Sequence, residues 1–200
     1  MNDFIKTTLG LQLPTDPRWA HLAEISIQNI LTDHAFCEQK AASSCISLIQ
    51  SYSYLPELVE ELAPVVSEEW AHFRMVLDEL KKREIPLGLQ RKDEYVNKLM
   101  TFIKKGGSKE DNLTDRLLLC ALIEARSCER FRLLYENLED RNLGDFYYTF
   151  MVAEAGHYKL FLRLAKNYSS PAKVMKRWQE WLDIEAGIMK SFDPRGDRMH

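Results

Sequence analysis

Glycine and proline are scarce in this chain, eight and seven among 200 residues. That scarcity disfavours a fold of many short strands, since each reversal would draw on turn residues. No stretch alternates apolar and polar residues over a useful length, and no segment is of low complexity. No apolar run approaches the roughly 20 residues that cross a bilayer. The opening Met1-Asn-Asp-Phe-Ile-Lys6 has neither the basic nor the apolar region of a secretory leader, so a cytoplasmic protein without membrane attachment is expected. Cysteine is rare too. Cys37 and Cys45, like Cys120 and Cys128, stand eight residues apart on one predicted helix, about 12 Å along its axis. That is beyond disulfide reach within a pair. With no Cys-x-x-Cys, buried reduced thiols are expected rather than a zinc or iron–sulfur site. A net charge of -3 advertises no nucleic-acid partner, although a local patch is what decides that question.

What is present is helix-forming. Hydrophobic residues make up 46% and charged residues 28%, the mixture of one globular domain with a sizeable core. Residues 1–16 read as an irregular lead-in, with Pro14 and Pro17 blocking a helix. A helix is expected over about 19–52, with Ile27, Leu31, His34, Glu38, Ala41, Cys45 and Leu48 on one side. Tyr54-Leu-Pro56 opens a second, to about residue 83, which Pro64 should kink or divide. A shorter helix, about 91–104, closes at Gly106-Gly107 and has the length of a crossover. The third long helix follows cap residues at 108–112 and runs to about 140. Asn142-Leu-Gly144 reads as a turn before the fourth, about 145–167. Ser169-Ser-Pro171 caps a last helix, 171–192, and 193–200 reads as a loose tail.

The informative residues lie on the buried stripes. Glu69 and His72 are three apart, so on a helix they point the same way, and Glu69 shares the stripe of Val65, Phe73 and Val76. Glu154-Ala-Gly-His157 repeats the device beside Phe150, Tyr158, Phe161 and Leu162. A carboxylate in a core is costly unless it is paired or binds a metal. Single inward glutamates, Glu38 and Glu124, precede these motifs by 31 and 30 residues. Glu129 competes with Glu124, but the Leu117/Ala121 stripe selects Glu124. The chain therefore reads as two similar halves, each a helix bearing one inward Glu followed by a helix bearing Glu-x-x-His.

Four carboxylates and two imidazoles on four helices match the known donor set of ferritin-like dimetal bundles. The fold expected is an all-α, ferritin-like four-helix bundle, with a crossover helix and an additional C-terminal helix. Such ligands suit iron or manganese better than thiolate-loving metals. Spacing leaves open whether Glu69 and Glu154 or Glu38 and Glu124 would bridge the metals. His34, one turn before Glu38, reads as a core or supporting group rather than a ligand. Tyr135, Tyr147, Tyr148 and Phe150 read as packing. Arg126 and Arg130 flank Glu124 and are candidates for pairing with carboxylates.

The run Ile123-Glu-Ala-Arg-Ser-Cys-Glu-Arg-Phe131 resembles a particular family. Together with Asp33-His-Ala-Phe-Cys-Glu38-Gln-Lys-Ala-Ala42, Glu68-Glu-Trp-Ala-His72-Phe and Glu154-Ala-Gly-His157-Tyr, it resembles the bacterial tRNA hydroxylases of 2-methylthio-isopentenyl-adenosine, the MiaE type. The likeness runs from about residue 15 to the end. It implies two irons held by Glu38, Glu69, His72, Glu124, Glu154 and His157, which would also be the catalytic set, with no separate acid or base. It implies O2-dependent hydroxylation of the isopentenyl side chain in the tRNA anticodon loop, with electrons from an external reductase. The rival readings are a non-enzymatic iron-handling or oxidant-buffering bundle and a manganese catalase. A tRNA substrate needs basic contacts. The candidates are Lys104, Lys105 and Lys109 near the crossover, and Arg163, Lys166, Lys173, Lys176 and Arg177 around the last turn.

Overall fold

A computed structural model of the chain describes residues 9–200. The first half of the expected lead-in, 1–8, lies outside the described residues; from residue 9 to Pro17 the chain is irregular, as its prolines require. Seven helices and no strand follow among the described residues. They are α1 (Arg18–Ile25), α2 (Ile27–Ser51), α3 (Pro56–Lys82), α4 (Glu94–Met100), α5 (Lys109–Asn137), α6 (Arg141–Tyr168) and α7 (Pro171–Lys190). None is long and apolar enough to cross a membrane.

Local chemistry sets the ends of these helices. Ser108 and Asp140 accept hydrogen bonds from Asp111 N and Leu143 N, capping α5 and α6. Ser170 caps α7 with Pro171 at its first position, and Asp93 caps α4. Gly106 and Gly107, at φ +84° and +89°, make the left-handed bend before α5.

Four details differ from the sequence expectation. The first helix is two, because the backbone at Ser26 leaves helical geometry (φ -110°, ψ 31°) although no Pro or Gly is there to signal it. Pro64 does not divide α3, which runs unbroken. Pro64 is exposed, and so is Glu60, whose carbonyl loses its helical partner there and can be hydrated instead. The crossover helix is only seven residues long. Asn142-Leu-Gly144 is the first turn of α6 rather than a loop, since the Asp140 cap starts that helix earlier; a Cβ on Gly144 would stand 3.3 Å from the Tyr135 carbonyl.

The described chain forms two compact units. One takes residues 22–92 and 195–199 and is built on the packing of α2 against α3. Here the expected loose tail is instead pinned. Asp33 accepts from Arg198 Nη1 at 2.9 Å and from Met199 N at 2.8 Å, and Arg91 Nη1 donates to Asp197 Oδ2 at 2.8 Å. A Cβ on Gly196 would fall 2.0 Å from the Leu22 carbonyl carbon, so only glycine fits. Composition alone does not reveal a tail fixed by specific pairs.

The other unit takes the chain up to His21, 93–194 and His200. Helices α5 and α6 pack along each other, and α7 covers part of both. Phe131 meets Tyr147 and Phe150 at ring-centre distances of 5.7 and 5.6 Å. Each such buried aromatic contributes about 1.5–3 kcal/mol of transfer free energy. Beside this core lies a buried ionic cluster. Arg126, 0% exposed, donates to Glu185 Oε1 through Nε and Nη2 at 2.8 and 2.6 Å, and to the Leu13 carbonyl at 2.8 Å. It also donates to Glu129 and to Thr15 Oγ1. Glu129 accepts from Thr15 N and Oγ1 at 2.8 and 2.6 Å, and Tyr95 donates to Glu185 at 3.2 Å. The cluster thus ties the lead-in, α4 and α7 to α5. Burial, together with the neighbouring Arg126 charge, pulls Arg130 down to about 10.

Replacing Arg126 with Met removes the cation and leaves two buried carboxylates facing each other. A loss of about 3–5 kcal/mol of stability is expected, read as a shift in the urea unfolding curve. A loss below about 1 kcal/mol, the range of an exposed pair, would show that the cluster does not hold this unit together.

Candidate metal centre

In the first unit, α2 brings in Glu38 and α3 brings in Glu69 and His72, one helical turn apart. All three are buried, and one ligand atom from each lies within 4.8 Å of the others. His72 Nδ1 is 3.3 Å from Glu38 Oε2 and 3.5 Å from Glu69 Oε2. His34, fully buried one turn before Glu38, places Nε2 2.7 Å from Glu38 Oε1. One oxygen of Glu38 therefore faces His34 and the other faces His72.

The electrostatics follow from that packing. Burial pushes Glu38 towards neutrality, but the neighbouring His34 and the hydrogen bonds from the His34 and His72 imidazoles outweigh it and hold the carboxyl well below its usual range. Burial opposes charge on His72 as well, yet the Glu38 and Glu69 carboxylates raise it to about 9.

In the second unit, α5 supplies Glu124 and α6 supplies Glu154 and His157, again buried and within 4.8 Å of one another. His157 Nδ1 is 3.4 Å from Glu154 Oε2. Glu129, the sequence competitor, instead faces Arg126 and Thr15. Arg126 is engaged by Glu129 and Glu185, and Arg130 stacks over Trp19 at 4.7 Å. Cys128 is no thiolate ligand in waiting: burial, reinforced by Glu124 and Glu129, pushes it up to about 12, and it donates to the Met151 carbonyl. All four cysteines are free thiols. Tyr147 and Phe150 are wholly buried packing groups, whereas Tyr148 is 46% exposed.

Each unit thus assembles two carboxylates and one imidazole in an apolar setting. Such a donor set fits a hard or borderline divalent metal such as iron or manganese, and offers nothing to a thiophilic one.

The basic candidates divide. Carboxylates already engage Lys104 (Glu180, 3.8 Å), Lys173 (Asp111) and Arg177 (Asp115 at 2.6 Å, Glu180 at 2.7 Å). Of these pairs only Arg177 with Glu180, three residues apart on α7, is local; the others join residues remote in the chain, which sequence spacing could not show. Lys105, Lys109 and Lys176 are exposed. Arg163 and Lys166 line a groove on α6 together with Lys159, which the sequence reading missed.

The family model described as tRNA-(MS[2]IO[6]A)-hydroxylase (MiaE) matches residues 5–200. The chain belongs to this family. The tRNA 2-(methylsulfanyl)-N(6)-isopentenyladenosine(37) hydroxylase of Pseudomonas putida strain KT2440 is 36% identical over 166 residues, covering 83% of this chain and 80% of its own. The protein of that name from Salmonella typhimurium strain LT2 is 26% identical over 239 residues, covering 95% and 87%. Among solved structures, Protein 43 with aldehyde deformylating oxygenase activity from Synechococcus superposes with a TM-score of 0.89 at 32% identity, covering 95% of this chain and 94% of that one. The all-α, ferritin-like architecture expected from the sequence is thereby shown.

Because His72 lies above its ordinary value, it carries a proton at pH 7 when no metal is bound. A metal taking its nitrogen must displace that proton. Anaerobic Fe(II) titrations should therefore release protons at pH 7, and affinity should rise from pH 6 until about 9. Affinity independent of pH across that span would contradict this protonation state.

Proposed function

We propose that this family member is an O2-dependent tRNA hydroxylase. It would act on the isopentenyl side chain of 2-methylthio-isopentenyl-adenosine in the anticodon loop, using two irons held by Glu38, Glu69, His72, Glu124, Glu154 and His157. The observation that carries the reading is the family match over residues 5–200, joined to two buried sets of the expected ligand types. A bound iron pair supplies the activation of O2. The overall change places one oxygen atom in a C–H bond of the side chain and releases the other as water, consuming two electrons and two protons. No flavin or nicotinamide motif is present in the sequence, so the electrons come from an external reductase.

The chain's own residues prepare that chemistry. Four carboxylates balance the four positive charges of two divalent ions. The Glu-x-x-His spacing fixes each imidazole beside its carboxylate before any metal arrives. His34 is a positioning residue: by holding one oxygen of Glu38, it orients the other for a ligand. Buried Phe131, Tyr147 and Phe150 exclude water from the second unit. The single-stranded anticodon loop offers a base that can be splayed from its neighbours.

Because the Synechococcus relative is named for aldehyde chemistry, the shared fold does not select the substrate. The selection rests on the family. Purified protein given Fe(II), a reductase system, O2 and tRNA bearing the methylthio-isopentenyl nucleoside should yield a nucleoside with one added oxygen, seen by mass spectrometry. Oxygen consumption without that product would overturn the assignment. A second outcome is expected of variants. His34→Phe should weaken iron binding about 10–100-fold, and His34→Gln, which can still reach Glu38, should weaken it less. Equal, unchanged affinity in both would remove His34 from the supporting role.

A further inference from the structure

We infer that the outer face of α3 around Trp70 is the docking surface for the electron donor, a redox protein that carries one electron at a time. The inference rests on the proposed iron chemistry and adds to it the place where electrons enter. Two donor molecules each give up one electron per turnover. With O2 and two protons, these electrons balance one new hydroxyl group and one water.

The first observation is the make-up of that face. Ala63, Pro64, Ser67, Trp70 and Ala71 are exposed, lie within three or four residues of one another on α3, and carry no charge. Trp70 rises from this small-residue surface, 48% exposed although its large apolar ring is costly to leave in water. Glu60, Glu68 and Arg74, also exposed, stand at the edge. A large aromatic in an uncharged centre, with a charged rim, is the anatomy of a protein interface.

The second observation is connection. Trp70 follows Glu69 in the chain, and its ring lies 5.1 Å from that of Phe73, which follows His72. The exposed indole thus reaches one candidate ligand residue through covalent bonds and the neighbour of the other through a ring contact. Electrons cross bonds and touching rings more readily than open gaps. Among the described residues, Trp70 is the one exposed large apolar side chain whose residue is bonded directly to a candidate ligand residue. The matching positions of α6 differ. Ala155 follows Glu154, and Tyr158, which follows His157, is buried and faces Trp178 of α7 at 6.1 Å. Val152 is exposed on α6 but has no ring and is bonded to neither ligand.

The third observation is what the face cannot hold. A stable dimer needs roughly 1,200–2,000 Å² of buried surface, more than five side chains can supply when four are small. A transient redox encounter is smaller. RNA phosphates would meet two carboxylates and one cation at the rim. That same rim suits a donor whose own contact is ringed by cations.

The probe is ferricytochrome c, a one-electron carrier whose haem edge is ringed by lysines; flavodoxin, an acidic carrier, is the comparison. Docking is measured by calorimetry on the metal-free full chain. Electron transfer is followed anaerobically with the Fe(II)-loaded chain, where each iron oxidised from Fe(II) to Fe(III) reduces one ferricytochrome c. Coupling through a contact is the same in both directions, so outward transfer reports the entry path. Trp70→Ala should weaken cytochrome c docking and slow the transfer about tenfold or more, and Trp70→Phe should do so less. Glu60→Lys should slow association and flatten its dependence on salt. Val152→Ala should match wild type, and flavodoxin should bind more weakly than cytochrome c. Unchanged docking in Trp70→Ala, an equal loss in Val152→Ala, or flavodoxin bound as tightly would overturn the assignment. So would an equal slowing of oxidation by ferricyanide in Trp70→Ala, because that small oxidant needs no docking face and the loss would lie at the iron. A wild-type dimer that Trp70→Ala dissociates in sedimentation would give the face to a second copy and overturn the assignment as well. A wild-type chain that takes up no iron would sink the iron reading and electron entry together, whereas iron uptake with docking indifferent to Trp70 would sink this inference alone.

Discussion

The structure depends on carboxylates kept beside imidazoles in places where neither would be stable alone. Glu69 with His72 and Glu154 with His157 sit on apolar helical faces, each pair within 3.5 Å. Isolated, such buried charges would shift to their neutral forms or destabilise the helices that carry them. The one-turn spacing makes each pair self-supporting, and the single glutamates on α2 and α5 complete the sets. In the first unit the compensation is visible in protonation. His72 takes up a proton and Glu38 keeps its charge, so the metal-free protein places protons where cations are expected to bind.

The Arg126 cluster shows the alternative solution in the same protein. There the counter-charge is covalently part of the chain. Arg126 directs its donors to Glu185, Glu129, Thr15 and Leu13, and the result is a lock between α5, α7 and the lead-in rather than a ligand site. Two residues before it on α5, Glu124 faces Glu154 and His157. The difference between a structural glutamate and a candidate ligand is therefore one of partner chemistry: a fixed guanidinium in one case, a second carboxylate and an imidazole in the other.

Much of this was legible in the sequence because helical periodicity is local. The stripe that contains Leu117, Ala121 and Glu124 separates Glu124 from Glu129 without knowledge of tertiary structure, and the caps Ser108 and Ser170 lie where hydroxyls precede helical runs. What was missed depends on partners remote in the chain. The tail, read as loose, is held by Asp33 and Arg91, more than a hundred residues away. Arg177 and Lys173, read as phosphate contacts, are matched by Asp115 and Asp111 on α5. The break at Ser26 has no Pro or Gly to announce it. Gly144, a turn residue by composition, serves close approach to the Tyr135 carbonyl inside a helix.

The most direct test of the account is the state of iron in the reconstituted chain. Metal counting combined with Mössbauer spectroscopy after anaerobic loading and oxidation should find two irons per chain, forming one spin-coupled pair. One iron per chain, or two that are magnetically independent, would contradict the proposed diiron centre.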